Sequence, residues 1–292
     1  MRVGGVSAAT STRRARRGSF GARYGPWALV AGASEGIGAA YARGLAQRGL
    51  NLLLVARRSG PLEKLADELR GESRIETRCV EGDLGDLKFL ETLQTACSEV
   101  DLGLIIYNAA HSPIGEFTDL PLDDILKVVD VNVRGPVALL RGLLPSMAAR
   151  GRGGVVLMSS LAGNTGAPRV ATYAASKAFN RVLAQGLWYE LKGRNIDVLV
   201  CCAGAVRTPG YAQAADRDAP GTLDPEQVAE RALRALGRRP VVIPGLVNRV
   251  ADVVMTRLLP RRTAINMMGG STSDLVQAKE TTGPGASSRG ES

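Results

Sequence analysis

From Trp27 onward, short apolar runs alternate with longer stretches of helical periodicity, and this alternation is what most limits the fold. A strand that is apolar throughout must be covered on both faces, and strands separated by helices pair in parallel through crossovers. The pattern predicts strands near residues 27–31, 51–56, 76–80, 102–107, 155–159, 196–202 and 241–243. Helices are predicted near 37–49, 60–70, 86–98, 122–149, 171–193 and 225–237. The fifth strand is the clearest, because Gly153-Gly154 punctuates the chain just before Val155-Val156-Leu157-Met158. Seven strands of this kind predict an α/β architecture, a doubly wound seven-stranded parallel sheet with helices on both faces. Its crossovers are right-handed, and ligands sit beyond the carboxyl ends of the strands at the switch point. A glycine turn that opens at Gly32, Asn108 and Ser160 all fall at such ends.

At 292 residues and 45% hydrophobic content the chain can bury one large core, and a single domain over residues 25–268 is expected. The formal charge is +9, but residues 1–25 hold six arginines (Arg2, Arg13, Arg14, Arg16, Arg17 and Arg23) and no acid, so without them +3 is left. The basicity therefore belongs largely to an arm, read over residues 1–24 as a solvated, disordered extension with no nucleic-acid role. Arg13-Arg14 and Arg16-Arg17 are not followed by an apolar h-region, which argues against a twin-arginine export signal and leaves an organelle transit peptide open. Cys79, Cys97, Cys201 and Cys202 have no CxxC or CxxH spacing, and Cys201 and Cys202, neighbours on a predicted strand, must point to opposite faces. No metal site and a reducing, cytoplasmic setting are expected. No apolar run reaches about 18 residues, so no transmembrane segment is predicted. From Pro244 to Leu259 the pattern is amphipathic, with an apolar face expected against the domain or a partner subunit rather than a membrane. The Gly, Ser, Thr and Pro-rich stretch over 269–292 is read as a disordered tail.

Chemistry concentrates in two places. Gly32-Ala33-Ser34-Glu35-Gly36-Ile37-Gly38 follows the first strand and opens a helix, which gathers backbone amides and the positive helix end at one spot suited to a pyrophosphate. Its spacing differs from G-x-G-x-x-G, and alone it is a weak signal. The second place is Ser160, Tyr173 and Lys177. Tyr173 and Lys177 are four residues apart, so on a helix they lie one above the other, and an ammonium there favours the phenolate and lowers the tyrosine pKa toward working pH. The chain has one histidine, His111, which makes a tyrosine the more plausible proton donor and carbonyl reduction the expected chemistry. Taken singly, each residue has a plain structural explanation: Asn132 a helix-kink residue, Ser160 a strand-end cap, Tyr173 a half-buried aromatic, Lys177 a solvated charge. In that order behind that turn, they point jointly to catalysis.

The glycine turn followed by Asn108-Ala109, Asn132, Ser160 and Tyr173-x-x-x-Lys177 resembles the single-domain branch of the short-chain dehydrogenase/reductase family over residues 26–250. The resemblance implies a Rossmann-type domain binding NAD or NADP and a catalytic tetrad of Asn132, Ser160, Tyr173 and Lys177. In the implied roles, Ser160 hydrogen-bonds the substrate carbonyl and Tyr173 delivers the proton. Lys177 holds the nicotinamide ribose and depresses the Tyr173 pKa, and Asn132 anchors a water that feeds protons to Lys177. Two donors aimed at an oxygen that gains negative charge act where the transition state needs them. The implied cofactor contacts are Gly32, Ser34, Glu35, Gly36, Ile37 and Gly38 in the turn, with Asn108, Tyr173 and Lys177. Thr208 is placed at the nicotinamide amide and Asp83 at the adenine, although Asp83 also reads as a helix N-cap near Gly85-Asp86.

The second strand ends about twenty residues after Gly36, where an NAD enzyme carries an acid for the ribose hydroxyl. This chain has Arg57 and Arg58 there, suited to the 2′-phosphate of NADP, so NADP(H) is the expected cofactor and NAD the less favoured one. The chain departs from the family pattern at Tyr107, where the usual Asn-Asn-Ala-Gly has its first Asn, at Ala110 for its Gly, at Ala203 before Gly204 and at Ala31 before Gly32. His111 is read as structural, and Tyr211 to Thr222, with Asp216, Arg217 and Asp218, as the variable substrate-covering loop. The expected activity is NADP(H)-dependent reduction of a ketone or aldehyde, or oxidation of a secondary alcohol, on a small-molecule substrate for which a lipophilic carbonyl compound is the candidate. The rivals are a non-catalytic dinucleotide sensor and an extended-branch epimerase or dehydratase. The latter needs another glycine spacing and a larger carboxyl-terminal region. By resemblance, the helices near 122–149 and 171–193 build a homodimer or homotetramer interface.

Overall fold

The computed structural model describes residues 19–212 and 217–270. Among them seven strands form one all-parallel sheet: β1 Trp27–Ala31, β2 Asn51–Ala56, β3 Thr77–Glu81, β4 Leu102–Tyr107, β5 Gly153–Ser160, β6 Ile196–Ala203 and β7 Val241–Val242. Their order is β3-β2-β1-β4-β5-β6-β7, so the switch point lies between β1 and β4. The α-helices are α1 Phe20–Tyr24, α2 Gly36–Ala46, α3 Ser59–Ser73, α4 Leu87–Ser98, α5 Leu122–Val129, α6 Gly135–Arg150, α7 Ala171–Glu190, α8 Pro209–Ala212, α9 Pro225–Ala235 and α10 Leu246–Val253.

The two-residue repeat of a strand sorts neighbours into two cores. Ala28, Val30, Leu52 and Leu54 pack under α2, α3 and α9, while Leu29, Leu53 and Val55 pack with α4, α6 and α7 on the other face. Leu29, Leu53 and Leu54 have no exposed surface, and each such side chain contributes about 2 kcal/mol of burial. Cys201 and Cys202 divide between the two cores, as their adjacency on β6 requires, and both are free thiols.

Four stretches differ from expectation. The arm's last residues form α1, capped by Ser19, whose hydroxyl accepts from the Ala22 amide at 3.3 Å. Tyr24 is buried and its hydroxyl donates to Asp197 at 2.6 Å, with Arg23 on the same carboxylate, so the arm's last turn is docked on β6. Residues 1–18, with the other five arginines, lie outside the described residues. The helix predicted over 122–149 is broken by a π-helical turn, Asp130–Arg134, between α5 and α6. The helix predicted over 171–193 ends at Glu190 and passes into a 3₁₀ turn, Lys192–Arg194. Beyond α10 and a second π turn, Val254–Leu258, residues 261–270 are helical, since Pro260 can begin a helix as readily as end one. Residues 269 and 270, expected in the tail, are thus helical, and the rest of the expected tail, 271–292, lies outside the described residues. Leu246, Val250 and Leu258 keep 69%, 55% and 69% of their surface, so the apolar face of the amphipathic stretch is largely uncovered among the described residues. Among the described residues no helix is long and apolar enough to cross a membrane.

Candidate active site

The glycine turn is held to the sheet by its backbone. The Gly32 amide donates to Val55 O at 2.8 Å, the Asn108 amide to Ala31 O at 2.9 Å, and Asn108 Nδ2 to Gly32 O at 2.9 Å. Gly32 and Gly36 have φ of +85° and +56°, the left-handed region that favours glycine. A Cβ on Gly38 would stand 1.8 Å from Gly32 O, and one on Gly36 would stand 2.9 Å from Thr208 Cγ2. Glu35 occupies the N-cap position of α2, but its side chain makes no capping bond. The first amides of α2 thus have no side-chain acceptor and carry the positive helix end, a cradle that fits a pyrophosphate.

This turn opens into a cleft of about 400 Å³ lined by Gly32, Ser34, Glu35, Gly36 and Ile37 at one side and by Ser160, Tyr173 and Lys177 at the other. Asn108 and Thr208 line it between them, and Arg57 and Asp83 line its far end. Gly38 and Asn132 stand behind the wall, and Arg58 turns to the mouth, where it pairs with Glu35 at 2.6 Å. The chain therefore brings most of the expected set around one cavity. Asp83 Oδ1 accepts from the Gly85 amide at 2.9 Å, while Asp86 caps α4 by accepting from Lys88 N at 2.9 Å, so the cap belongs to Asp86. Burial opposes ionisation of Asp83, but the Gly85 amide, Lys127 and Arg57 outweigh it and hold its carboxyl below the usual range.

Ser160 ends β5, and its Oγ accepts from Ala162 N at 3.2 Å. The cap uses an acceptor lone pair and leaves the O–H to donate to Tyr173 or to a substrate oxygen. Tyr173 and Lys177 share a face of α7, with Lys177 Nζ 5.3 Å from the phenol ring centroid and donating to Met158 O at 3.3 Å. Burial pushes the Lys177 ammonium down to about 8. Burial also pushes the Tyr173 phenol above its ordinary value, and a hydrogen bond with Ser160 opposes this. The expected lowering of the phenol by the lysine is thus not what the structure shows: desolvation disfavours the charged form of both groups. The pair rests as a protonated phenol above a weakened ammonium.

Asn132 sits in the π turn with no exposed surface. Its Oδ1 accepts from the His111 amide at 2.8 Å, its Nδ2 donates to His111 O at 2.9 Å and to Ser176 Oγ at 3.0 Å, and its own carbonyl accepts from Asn180 Nδ2 at 3.0 Å. It clamps the loop after β4 to α7. Ser176 also donates to Tyr173 O at 2.7 Å, and Ser159 Oγ to Lys177 O at 2.8 Å. These supports were not singled out from sequence, although residues 173, 176, 177 and 180 follow the spacing of one helix face. His111 lines the cleft with Nε2 3.2 Å from Asp124 Oδ1. Tyr107, where the family pattern has Asn, is buried and donates to Val131 O at 2.6 Å, which ties β4 to the π turn. Asp216 in the covering loop lies outside the described residues; Arg217 and Asp218 flank Tyr211, whose hydroxyl donates to Arg217 O at 3.3 Å.

Residues 26–219 match the model of the short chain dehydrogenase family. The chain is 33% identical over 234 residues to a 7beta-hydroxysteroid dehydrogenase of Clostridium sardiniense, covering 79% of this chain and 90% of that one. It is 32% identical over 203 residues to a very-long-chain 3-oxoacyl-CoA reductase of Anas platyrhynchos, covering 68% and 63%. Among solved structures, a 7beta-hydroxysteroid dehydrogenase superposes with TM-score 0.81 at 28% identity over 86% of this chain and 99% of that one. A short-chain dehydrogenase from Sphingobium yanoikuyae in complex with NADPH superposes with TM-score 0.70 at 28% identity over 90% and 98%. The chain belongs to the short-chain dehydrogenase family and is an NAD(P)-dependent oxidoreductase acting on CH–OH groups.

Proposed function

We propose that this short-chain dehydrogenase is an NADP(H)-dependent reductase of a bulky, lipophilic ketone or aldehyde, with the reverse oxidation of a secondary alcohol open to it at higher pH. The observation that carries the reading is the phenol of Tyr173 and the hydroxyl of Ser160 facing one cleft with the Lys177 ammonium beneath. A bound nicotinamide supplies hydride. The chain's residues do the rest: Ser160 donates to the carbonyl oxygen, Tyr173 passes its proton to that oxygen as charge builds there, and Lys177 restores the phenol proton. The protonated resting phenol suits the reductive direction. Asn132 acts as the clamp that holds the loop after β4, and with it the cleft wall, in register with α7.

Arg57, set in the cleft at the end of β2 where an acid would serve NAD, supports the 2′-phosphate and hence NADP(H). Beside Tyr173 lies an apolar cluster of Ala167, Val170 and Ala174, packed by Ile114, Ala162 and Met268. It supports a substrate with a large apolar body, in keeping with relatives named for hydroxysteroids and long acyl chains. The groove between α6 and α7, with Val137, Leu144, Leu183 and Leu187 along it, is our candidate for a homodimer or homotetramer contact, and our reading keeps the cytoplasmic setting suggested by the cysteine spacing. NADPH consumption across a panel of sterol, long-chain and short ketones tests the reading; turnover of bulky ketones in preference to short ones is expected.

A further inference from the structure

The amphipathic stretch after β7 is turned inside out. A helix on a water-facing surface buries its apolar stripe, whereas α10 buries polar side chains. Asn248 is buried, its Nδ2 donates to Gly221 O and to Pro244 O at 3.0 Å each, and a Cβ on the cleft-lining Gly204 would stand 2.6 Å from its Oδ1. Asp252 accepts from Asn164 Nδ2, in the 3₁₀ turn that follows Ser160, and Arg261 donates to Asn164 O at 3.2 Å. These anchors fix the stretch beside the Ser160 end of the cleft and leave Leu246, Val247, Val250, Val253 and Leu258 exposed together. Leu246, Val250 and Val253 follow the spacing of one helix face, Arg249 borders that face and Arg257 follows Val253 by one turn. Arg249, Arg257, Arg261 and Arg262 are all exposed.

Charge separates the occupants of such a face. Residues 245–270 carry those four arginines and one acid, Asp252, which is turned to Asn164. A second copy docked through the same face would bring the arginines of both chains together with no free acid on the stretch to answer them. Residues 271–292 offer Leu275 and Val276 as their only large apolar side chains, too few to cover five. An anionic lipid surface answers both features: the apolar face enters among the acyl chains, and the guanidiniums reach the phosphates with their stems laid along apolar surface. We infer that the stretch from Leu246 to Arg262 docks this chain on an anionic lipid surface, lying in the interface rather than crossing it. The inference is independent of the carbonyl chemistry proposed for Tyr173.

The test is cosedimentation of the full chain with vesicles of phosphatidylcholine alone and of phosphatidylcholine mixed with phosphatidylglycerol. Binding to the mixed vesicles is expected to be about tenfold tighter or more than to the neutral ones, and to weaken as salt is raised. Val250→Glu is expected to weaken it about tenfold, and Arg249→Gln combined with Arg257→Gln by a similar factor. Each variant is expected to keep the urea midpoint and NADPH affinity of wild type, because all three residues are exposed. Equal binding to both kinds of vesicle, binding to neither, or variants that bind as wild type does overturn the inference. A wild type that ignores vesicles and loses mass in light scattering on Val250→Glu overturns it as well and assigns the face to a second copy.

Discussion

At the scale of single residues, the account turns on what burial does to Tyr173 and Lys177. Their four-residue spacing and shared helix face were legible in the sequence, and so was the cation over the ring. The direction of the phenol's shift was not, because desolvation depends on the walls that β5, α7 and the loop after β4 build together. The Lys177 depression to about 8 makes a stability prediction. A lowered folded pKa means the unfolded chain binds the extra proton between about 8 and the ordinary 10.5, so this residue's destabilisation is complete below 8 and relieved as pH rises through that window. The full effect is about 3 kcal/mol. Lys177→Met is therefore expected to unfold at higher temperature than wild type at neutral pH, with the gap closing toward pH 10; thermal scans at paired pH values that show a constant gap would contradict it. The raised Cys79, Cys97, Cys201 and Cys202 lose stability from 9.0 upward and the raised Tyr173 from 10.0 upward, but these groups are common to both proteins and drop out of the gap between them. Arg57 has a different readout. Arg57→Ala is expected to weaken NADPH about ten- to a hundredfold and NADH far less, by fluorescence titration, and equal losses would remove it from the phosphate site. The pairing of Arg58 with Glu35 could not be read from sequence, since residues 23 apart meet only through the β1 to α2 turn and the end of β2.

At the scale of elements, β1, β2 and β4 stood out because each is apolar on both faces, and they fall where the pattern put them. The π turn at Asn132 did not stand out. Nothing in Asp130 to Arg134 breaks a helix locally, and the turn is held by partners from the loop after β4 and from α7. The docked α1 was hidden for a similar reason, since its anchor, Asp197, lies on β6 at the far side of the chain. The glycine turn supplies the sharpest element-level test. Gly38→Ala forces a methyl against Gly32 O, and a cost of about 2 kcal/mol with loss of dinucleotide binding is expected. Gly186, within α7, has nothing within 4 Å of its added Cβ. Gly186→Ala is expected to raise stability by about 0.5–1 kcal/mol in urea unfolding, and a fall there would mean that the face is covered in solution.

At the scale of the whole molecule, one sheet presents the glycine turn at the end of β1 and Ser160, with Tyr173 and Lys177 of α7, at the end of β5, with the switch point between them. Outside the cleft, α7 displays Val182 and Tyr189 at 69% and 77% exposure beside the α6–α7 groove. Val182→Glu is expected to lower the mass measured by light scattering from an oligomer toward a monomer; a wild type that is already monomeric would refute the contact. The central claim is that a phenol, a hydroxyl and a weakened ammonium around one cleft orient and protonate a carbonyl that would take its hydride from NADPH. The most direct measurement is single-turnover NADPH oxidation with a bulky ketone by Tyr173→Phe, alongside NADPH affinity for the same variant. The account predicts at least a thousandfold loss of rate, ~4 kcal/mol in the barrier, with NADPH binding nearly intact. A variant that turns over at the wild-type rate, or a wild type that binds NADPH and reduces no ketone in the panel, would contradict it.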